Sequence, residues 1–334
     1  VSPLPGDRDE LTIKARAVIN AAGPWVDEVC GLDGDHQSRL ALSRGVHLVF
    51  DHADLPVRNT VVMRTHDSRR IFAVPLGQYT YIGTTDDYHP ECEYWPPVTE
   101  QDVDYLLSST RRVMPEANLS ADRIVSVWSG IRPLVGDGSG RASKELSRKD
   151  EVWTSPSGLL SVGGGKLSAY RAMAERVVDT LIDNHAFTAR PCSTAEVPLP
   201  GGEGVTLATT LKGVDEVQAE RLARLYGTEA PELAAAASDK GLVAAEVGQA
   251  VLHEGAQRLE DYWARRSSRA WFDEGAGLAS LPQAASAMAA LLGWDEARQT
   301  AEIQNCRDID RDSRAGFTTG TSYSGDADDV RAAG

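Results

Sequence analysis

The spacing of apolar and polar residues divides the chain into a β-rich first half and a helical second half. Residues 40–50 (LALSRGVHLVF), 59–63, 70–75 and 79–84 are short β-rich runs with turn residues between them, the pattern of an antiparallel sheet. Upstream, 15–20 reads as a buried strand that stops at Ala21-Ala22-Gly23-Pro24, after which Trp25 opens a helix. Residues 7–10 read as a hairpin turn. A helix is predicted over 99–114, with Thr99 and Asp102 as a capping-box variant and Pro115 as its stop. Its apolar face is Val103, Leu106, Leu107, Thr110 and Met114. Strands return at 123–128, 151–154 and 159–162. Beyond Gly163-Gly164-Gly165-Lys166, the positions Tyr170, Met173, Ala174, Val177, Val178, Leu181 and Ile182 repeat at helical spacing and predict a helix over 167–184. Residues 190–202 form a Pro- and Gly-rich linker. The Ala-rich remainder predicts helices at 215–226, 231–237, 244–266, 281–292 and 294–304, then a polar tail over 306–334 that reads as disordered. This order of elements implies an α+β sheet domain interleaved with parts of an α/β domain, followed by a helical domain.

Composition narrows the functional classes. A net charge of −15 argues against nucleic-acid binding, which needs a basic footprint. No apolar run approaches the ~18 residues of a membrane span, and no secretory signal opens the chain. Cys30, Cys92, Cys192 and Cys306 are far apart without a CxxC pair, which predicts plain thiols in a reducing, cytoplasmic setting. The chain opens on Val1 with text that reads like the middle of a domain, so it is expected to be the C-terminal portion of a longer protein.

Four stretches could carry chemistry. In LLSVGGGKLSAYR (159–171) a P-loop would need Gly at 160 and Ser or Thr at 167, where Leu160 and Leu167 stand. A GxGxxG fingerprint would need Gly at 168, where Ser168 stands. What remains is a strand, bare backbone and a helix N-terminus, suited either to a flat ligand or to close packing of the helix on the sheet. In SVWSGIRPLVGDG (126–138) a strand is expected to end at Ser129-Gly130, with Arg132 just beyond it as a fork for a carboxylate or phosphate or as half of a surface ion pair. Arg148 is a weaker candidate of the same kind. His47, inside the β pattern of SRGVHLVF, is either a general base or a satisfied sheet histidine. In IGTTDDY, Thr84-Thr85-Asp86 reads as a turn in preference to a cleft wall. The histidines show no metal-ligand spacing, and His89 with Cys92 reads as a loop.

Taken in order, five segments resemble the FAD-dependent glycerol-3-phosphate dehydrogenases: INAAGPWVDEV (19–29), SRGVHLVF (43–50), RRIFAVPLGQYTYIGTTDDY (69–88), VWSGIRPL (127–134) and LLSVGGGKLSAYRAMAERVVD (159–179). RLEDYWARRSSRAWF (258–272) resembles that family's helical C-terminal cap. The resemblance implies a D-amino-acid-oxidase-like fold of mixed α+β and α/β class. Its parts would be a partial FAD-binding domain (1–36 and 151–189), an antiparallel-sheet substrate domain (37–150) and a helical C-terminal domain (203–305). The strand–GxGxxG–helix unit that opens such enzymes has no counterpart here, since GDGSGR at 136–141 has the wrong spacing and context.

The resemblance also implies roles. His47 matches the active-site histidine, Arg132 the substrate-clamping arginine and Lys166 the lysine beside flavin and substrate. Ala22, Gly23, Pro24, Trp25, Gly130, Gly164, Gly165, Leu167 and Ser168 match cofactor contacts. The family's GGKLTTYR is GGKLSAYR here, so Ala169 lacks one hydroxyl. The implied reaction is oxidation of sn-glycerol 3-phosphate to dihydroxyacetone phosphate with FAD. Electrons would pass to quinone or another acceptor, with room for peripheral membrane contact and a homo-oligomer. Two alternatives stay open: a related flavoprotein acting on an amine or 2-hydroxy acid, or an inactive fragment that binds no FAD.

Overall fold

Nine strands and nine α-helices form among the described residues, 12–136, 149–203 and 211–317 of a computed structural model. In chain order they begin β1 (Ile19–Asn20), α1 (Val26–Leu32), β2 (Leu40–Asp51), β3 (Val61–Arg64), β4 (Arg70–Leu76), β5 (Tyr79–Gly83) and β6 (Asp87–Tyr88). Then come α2 (Glu100–Val113), β7 (Ile124–Val135), β8 (Glu151–Thr154), β9 (Leu160–Gly163) and α3 (Tyr170–His185). The helical remainder is α4 (Glu216–Tyr226), α5 (Ala230–Lys240), α6 (Leu242–Leu252), α7 (Arg269–Phe272), α8 (Leu281–Leu292) and α9 (Glu296–Arg314). The turn expected at 7–10, Arg148 and most of 136–141 lie outside the described residues.

The chain divides into two compact units. The first holds the described parts of Val1–Ser43, Asp87–Cys92 and Ile131–Val197. Its three-stranded sheet has the order β1-β9-β8, with β1 parallel to β9 in the register Ile19↔Leu160 and Asn20↔Ser161. Only these two residues of the run 15–20 find ladder partners, so the first strand is shorter than its apolar pattern. Helix α3 starts after a 3₁₀ turn, Leu167–Ala169, and is tied down by an Arg176–Asp150 ion pair. The hydrogen bond from Arg176 holds the Asp150 carboxyl below its usual range. Of the predicted apolar face of α3 only Val177 is buried, and Tyr170 and Val178 are exposed.

The second unit holds the described parts of Arg44–Asp86, Glu93–Gly130 and Pro198–Gly334. Its antiparallel strands run in the order β3-β4-β5-β2, and α2 packs Val103, Leu106 and Leu107 against Leu48, Phe50, Ile71 and Ile82. The capping box forms as the sequence predicts: Asp102 N–H donates to Thr99 Oγ1 at 3.2 Å and Thr99 N–H to Asp102 Oδ2 at 2.9 Å. Residues 247–309 build a separate core around Leu259, Tyr262, Trp263, Met288 and Cys306. Sheet and helical region, expected as separate domains, fall in one unit. They are joined by Arg314 donating to the Val125 carbonyl at 2.8 Å and by Phe317 seated in the sheet's core.

Three readings of single elements are corrected. The strand over 123–128 does not stop at Gly130: β7 runs to Val135, because Ile131, Leu134 and Val135 continue the β pattern and the fixed φ of Pro133 suits extended backbone. The single helix over 244–266 is two pieces, because Gly255 takes φ +69° and 261–266 winds as a π-helical turn. The tail read as disordered from 306 is helical to Arg314, with Cys306, Ile309 and Ser313 on a buried face. The stretch Glu274–Leu292 has the length and mean hydropathy (1.2) of a membrane span. It is kinked where Gly275, Ala276 and Gly277 take positive φ, and Leu281, Ala284, Ala285 and Met288 are buried in the helical core.

Candidate active site

In the first unit, parallel pairing sends β1 and β9 out of the sheet at the same end, where open α/β sheets bind their ligands. The 3₁₀ turn Gly23–Trp25 leaves β1, and Gly164 to Ser168 leave β9. Buried Asn20 organises this end. Its Nδ2 donates to the Val26 carbonyl at 2.9 Å and to Ser161 Oγ at 3.2 Å, and its Oδ1 accepts from Ala22 N–H at 3.3 Å. Gly164 and Gly165 take φ +75° and +91°. A Cβ on Gly164 would sit 2.6 Å from the Lys149 carbonyl, and one on Gly165 2.4 Å from Met173 Cε. These two glycines therefore admit neighbouring protein on their Cα side, and any ligand must meet the backbone from elsewhere.

A Cβ on Gly23 would find open space. Lys166 and Ser168 are exposed, and the Leu167 side chain is 89% exposed, an unusual position for leucine at a helix mouth. Arg132 lies inside β7, and its Nη1 stands 3.5 Å from the hydroxyl of buried Ser43 on β2.

In the second unit, His47 sits half-buried on β2 between fully buried Val46 and Leu48. It faces Gly83 across the β2–β5 ladder. A Cβ on Gly83 would lie 2.2 Å from His47 Cδ2, so the bare glycine is what lets the imidazole lie across the sheet. The ring stacks on Trp128 with centroids 4.7 Å apart at 15°. Tyr81 meets it edge-on at 5.9 Å. Burial raises the Tyr81 phenol pKa, which keeps it neutral beside the imidazole. The strand is anchored by Arg44, which pairs with Asp102 at 2.8 Å, and by Val46 N–H, which donates to Thr85 Oγ1 at 3.1 Å. Thr85, read as part of a turn, thus extends the wall beside β2. Gly130 is exposed, and a Cβ there would meet nothing.

Asn20, Gly83 and Trp128 were not singled out in the sequence. Asn20 carries a readable signal, an amide at the end of an apolar strand. Gly83 becomes visible only with the β2–β5 register, and Trp128 only with the ring stack.

The parallel strand ends, the glycine segment and the antiparallel sheet carrying a histidine define a class: the chain belongs to the FAD dependent oxidoreductase family, whose model matches residues 4–171. Residues 192–299 match the C-terminal domain of alpha-glycerophosphate oxidase. The chain is similar to the aerobic glycerol-3-phosphate dehydrogenase of Bacillus subtilis (strain 168), 32% identical over 333 residues, covering 92% of this chain and 60% of the relative. The corresponding protein of Staphylococcus aureus (strain USA300) is 36% identical over 292 residues, covering 79% of this chain and 52% of the relative. Among solved structures, the chain is similar to the glycerol-3-phosphate dehydrogenase from Bacillus halodurans complexed with FAD, with a TM-score of 0.78 and 31% identity over 92% of this chain and 64% of that one. The chain therefore spans less than two thirds of the length of these relatives.

Proposed function

We propose that the chain serves the FAD-dependent oxidation of sn-glycerol 3-phosphate to dihydroxyacetone phosphate. The observation that carries this reading is the pairing of two family matches in one chain. An FAD dependent oxidoreductase match alone leaves the substrate open, and the alpha-glycerophosphate oxidase C-terminal match over 192–299 narrows it. Within the first unit the residues fit the cofactor: open space over Gly23 and an exposed Leu167 leave room and apolar surface for a flat ring system. Ala22 to Trp25, Gly130 and Gly164 to Ser168 would hold it. FAD, when bound, accepts the hydride that leaves C2.

The chain's own residues supply the rest. His47 takes the C2 hydroxyl proton on an imidazole nitrogen, which lets the carbonyl form as hydride departs. Arg132 forks onto the phosphate, fixing C2 by its distance from the anchored end. Lys166 supplies positive charge where negative charge accumulates on the cofactor side. Quinone is the proposed acceptor for the electrons, reached from the cytoplasmic face of a membrane.

Anaerobic addition of substrates to the FAD-loaded chain tests this. Glycerol 3-phosphate is expected to bleach the flavin absorbance, whereas glycerol, a 2-hydroxy acid and an amine leave it unchanged. Bleaching by one of the latter instead assigns a related oxidase, and a chain that stays colourless with added FAD rejects flavin chemistry for it.

A further inference from the structure

We infer that Trp128 is a positioning residue for the His47 imidazole, and that the helical C-terminal region holds Trp128 in place through Trp271 and Phe272. The inference rests on His47 as the base of the proposed reaction. A base must point its nitrogen within a few tenths of an ångström and a narrow angle of the hydroxyl it deprotonates. A histidine on a strand has two side-chain torsions to fix, and the sheet fixes neither.

Three surfaces enclose the imidazole. Gly83 gives it a floor, Trp128 lies parallel to it at 4.7 Å, and Tyr81 meets its edge at 5.9 Å. The two rings beside His47 share one support. Phe272 meets Trp128 edge-on at 5.6 Å and packs on Tyr81 at 6.0 Å, and Trp271 adds a second contact to Trp128 at 5.9 Å. Trp128, Trp271 and Phe272 are all half-buried, and Trp271 also packs on the helical core beside Trp263.

The segment that carries this support is pinned on both sides. The Ser126 hydroxyl, two residues before Trp128 on the same strand, donates to the Trp271 carbonyl. Arg269 pairs with Asp273 and, at 2.7 Å, with fully buried Glu246, and its Nε donates to Tyr262 Oη at 3.0 Å. The path from the helical core to the base is therefore continuous: Glu246, Arg269, the 271–272 pair, Trp128 and His47. Within this unit, a helical region that shares no strand with β2 controls the orientation of a side chain on β2.

The test reads His47 directly in the chain without flavin or substrate, by NMR of a histidine-labelled sample, with His47→Gln assigning its ring protons. A ring stacked face-on to indole lies in its shielding cone, so the His47 ring protons are expected upfield of the other histidines. Trp128→Leu is expected to abolish that shift and Trp128→Phe to retain most of it. Phe272→Leu is expected to reduce it from one residue further away, and this variant decides the matter should Trp128→Leu fail to fold. In the FAD-loaded chain Trp128→Leu is expected to lower kcat with little change in KM, with recovery in Trp128→Phe. An unshifted His47 in the wild type, or a shift unchanged in Trp128→Leu or Phe272→Leu, would overturn the inference. A shifted His47 in a chain that never reduces flavin would instead reject the functional reading and leave the positioning intact.

Discussion

His47→Gln is expected to slow reduction of bound flavin by glycerol 3-phosphate by about 10²–10⁴, the usual contribution of a positioned general base. Glutamine fills nearly the same volume and can still hydrogen-bond the hydroxyl, but it cannot carry the proton away. Because His47 is half-buried against Gly83, Trp128 and Tyr81, the substitution leaves the strand and its ladder with β5 in place. The loss should therefore appear in the rate of bleaching and not in the melting temperature. Rapid-mixing absorbance of the FAD-loaded variant at saturating substrate reads it. A rate within tenfold of wild type would remove His47 from the role of base.

Glu246→Ala is expected to destabilise the helical region by about 3–5 kcal/mol, the range for stripping one partner from a buried ion pair. Glu246 is fully buried and pairs with both Arg221 and Arg269, whose side chains are only 18% and 11% exposed. Burial works against the Arg269 charge, but Glu246, Tyr262 and Asp273 together outweigh it, so the guanidinium pKa is raised. Burial and the Glu246 carboxylate raise the Tyr262 phenol pKa. Alanine would strip Arg221 of this carboxylate and leave Arg269 with Asp273 alone, beside a cavity with little access to water. Urea unfolding followed by far-UV circular dichroism measures the effect, and a loss below about 1 kcal/mol, the range of an exposed pair, would show the carboxylate to be solvated. Since Arg269 leads into Trp271 and Phe272, the same substitution is also expected to disturb His47.

What could be read from the sequence followed the range of the interaction. The Thr99–Asp102 cap and the apolar face of α2 are local, and they stand where the residue pattern put them. The strands of the antiparallel sheet were visible for the same reason. Gly130 and Pro133 misled because both punctuate chains, yet an open glycine and a proline of extended φ interrupt neither the strand nor its apolar positions. Helix α9 was cut short because beyond residue 305 only Cys306, Ile309 and Ser313 mark its buried face among Arg and Asp residues. Arg314–Asp310 at 2.9 Å, one turn apart, helps to hold that polar stretch helical. The surroundings of His47 were unreadable for a different reason. Gly83 and Trp128 reach it, and Phe272 backs Trp128, from three elements far apart in the chain, and only the strand register and the fold bring them together.

Hydride transfer from C2 of glycerol 3-phosphate is tested most directly by a single-turnover experiment with substrate deuterated at that carbon. The FAD-loaded chain is mixed anaerobically with either isotopic form, and loss of flavin absorbance is followed. Bleaching by both, slower with deuterium, is the predicted result. No bleaching by either form, or equal rates with the two, would contradict oxidation of this carbon by the chain.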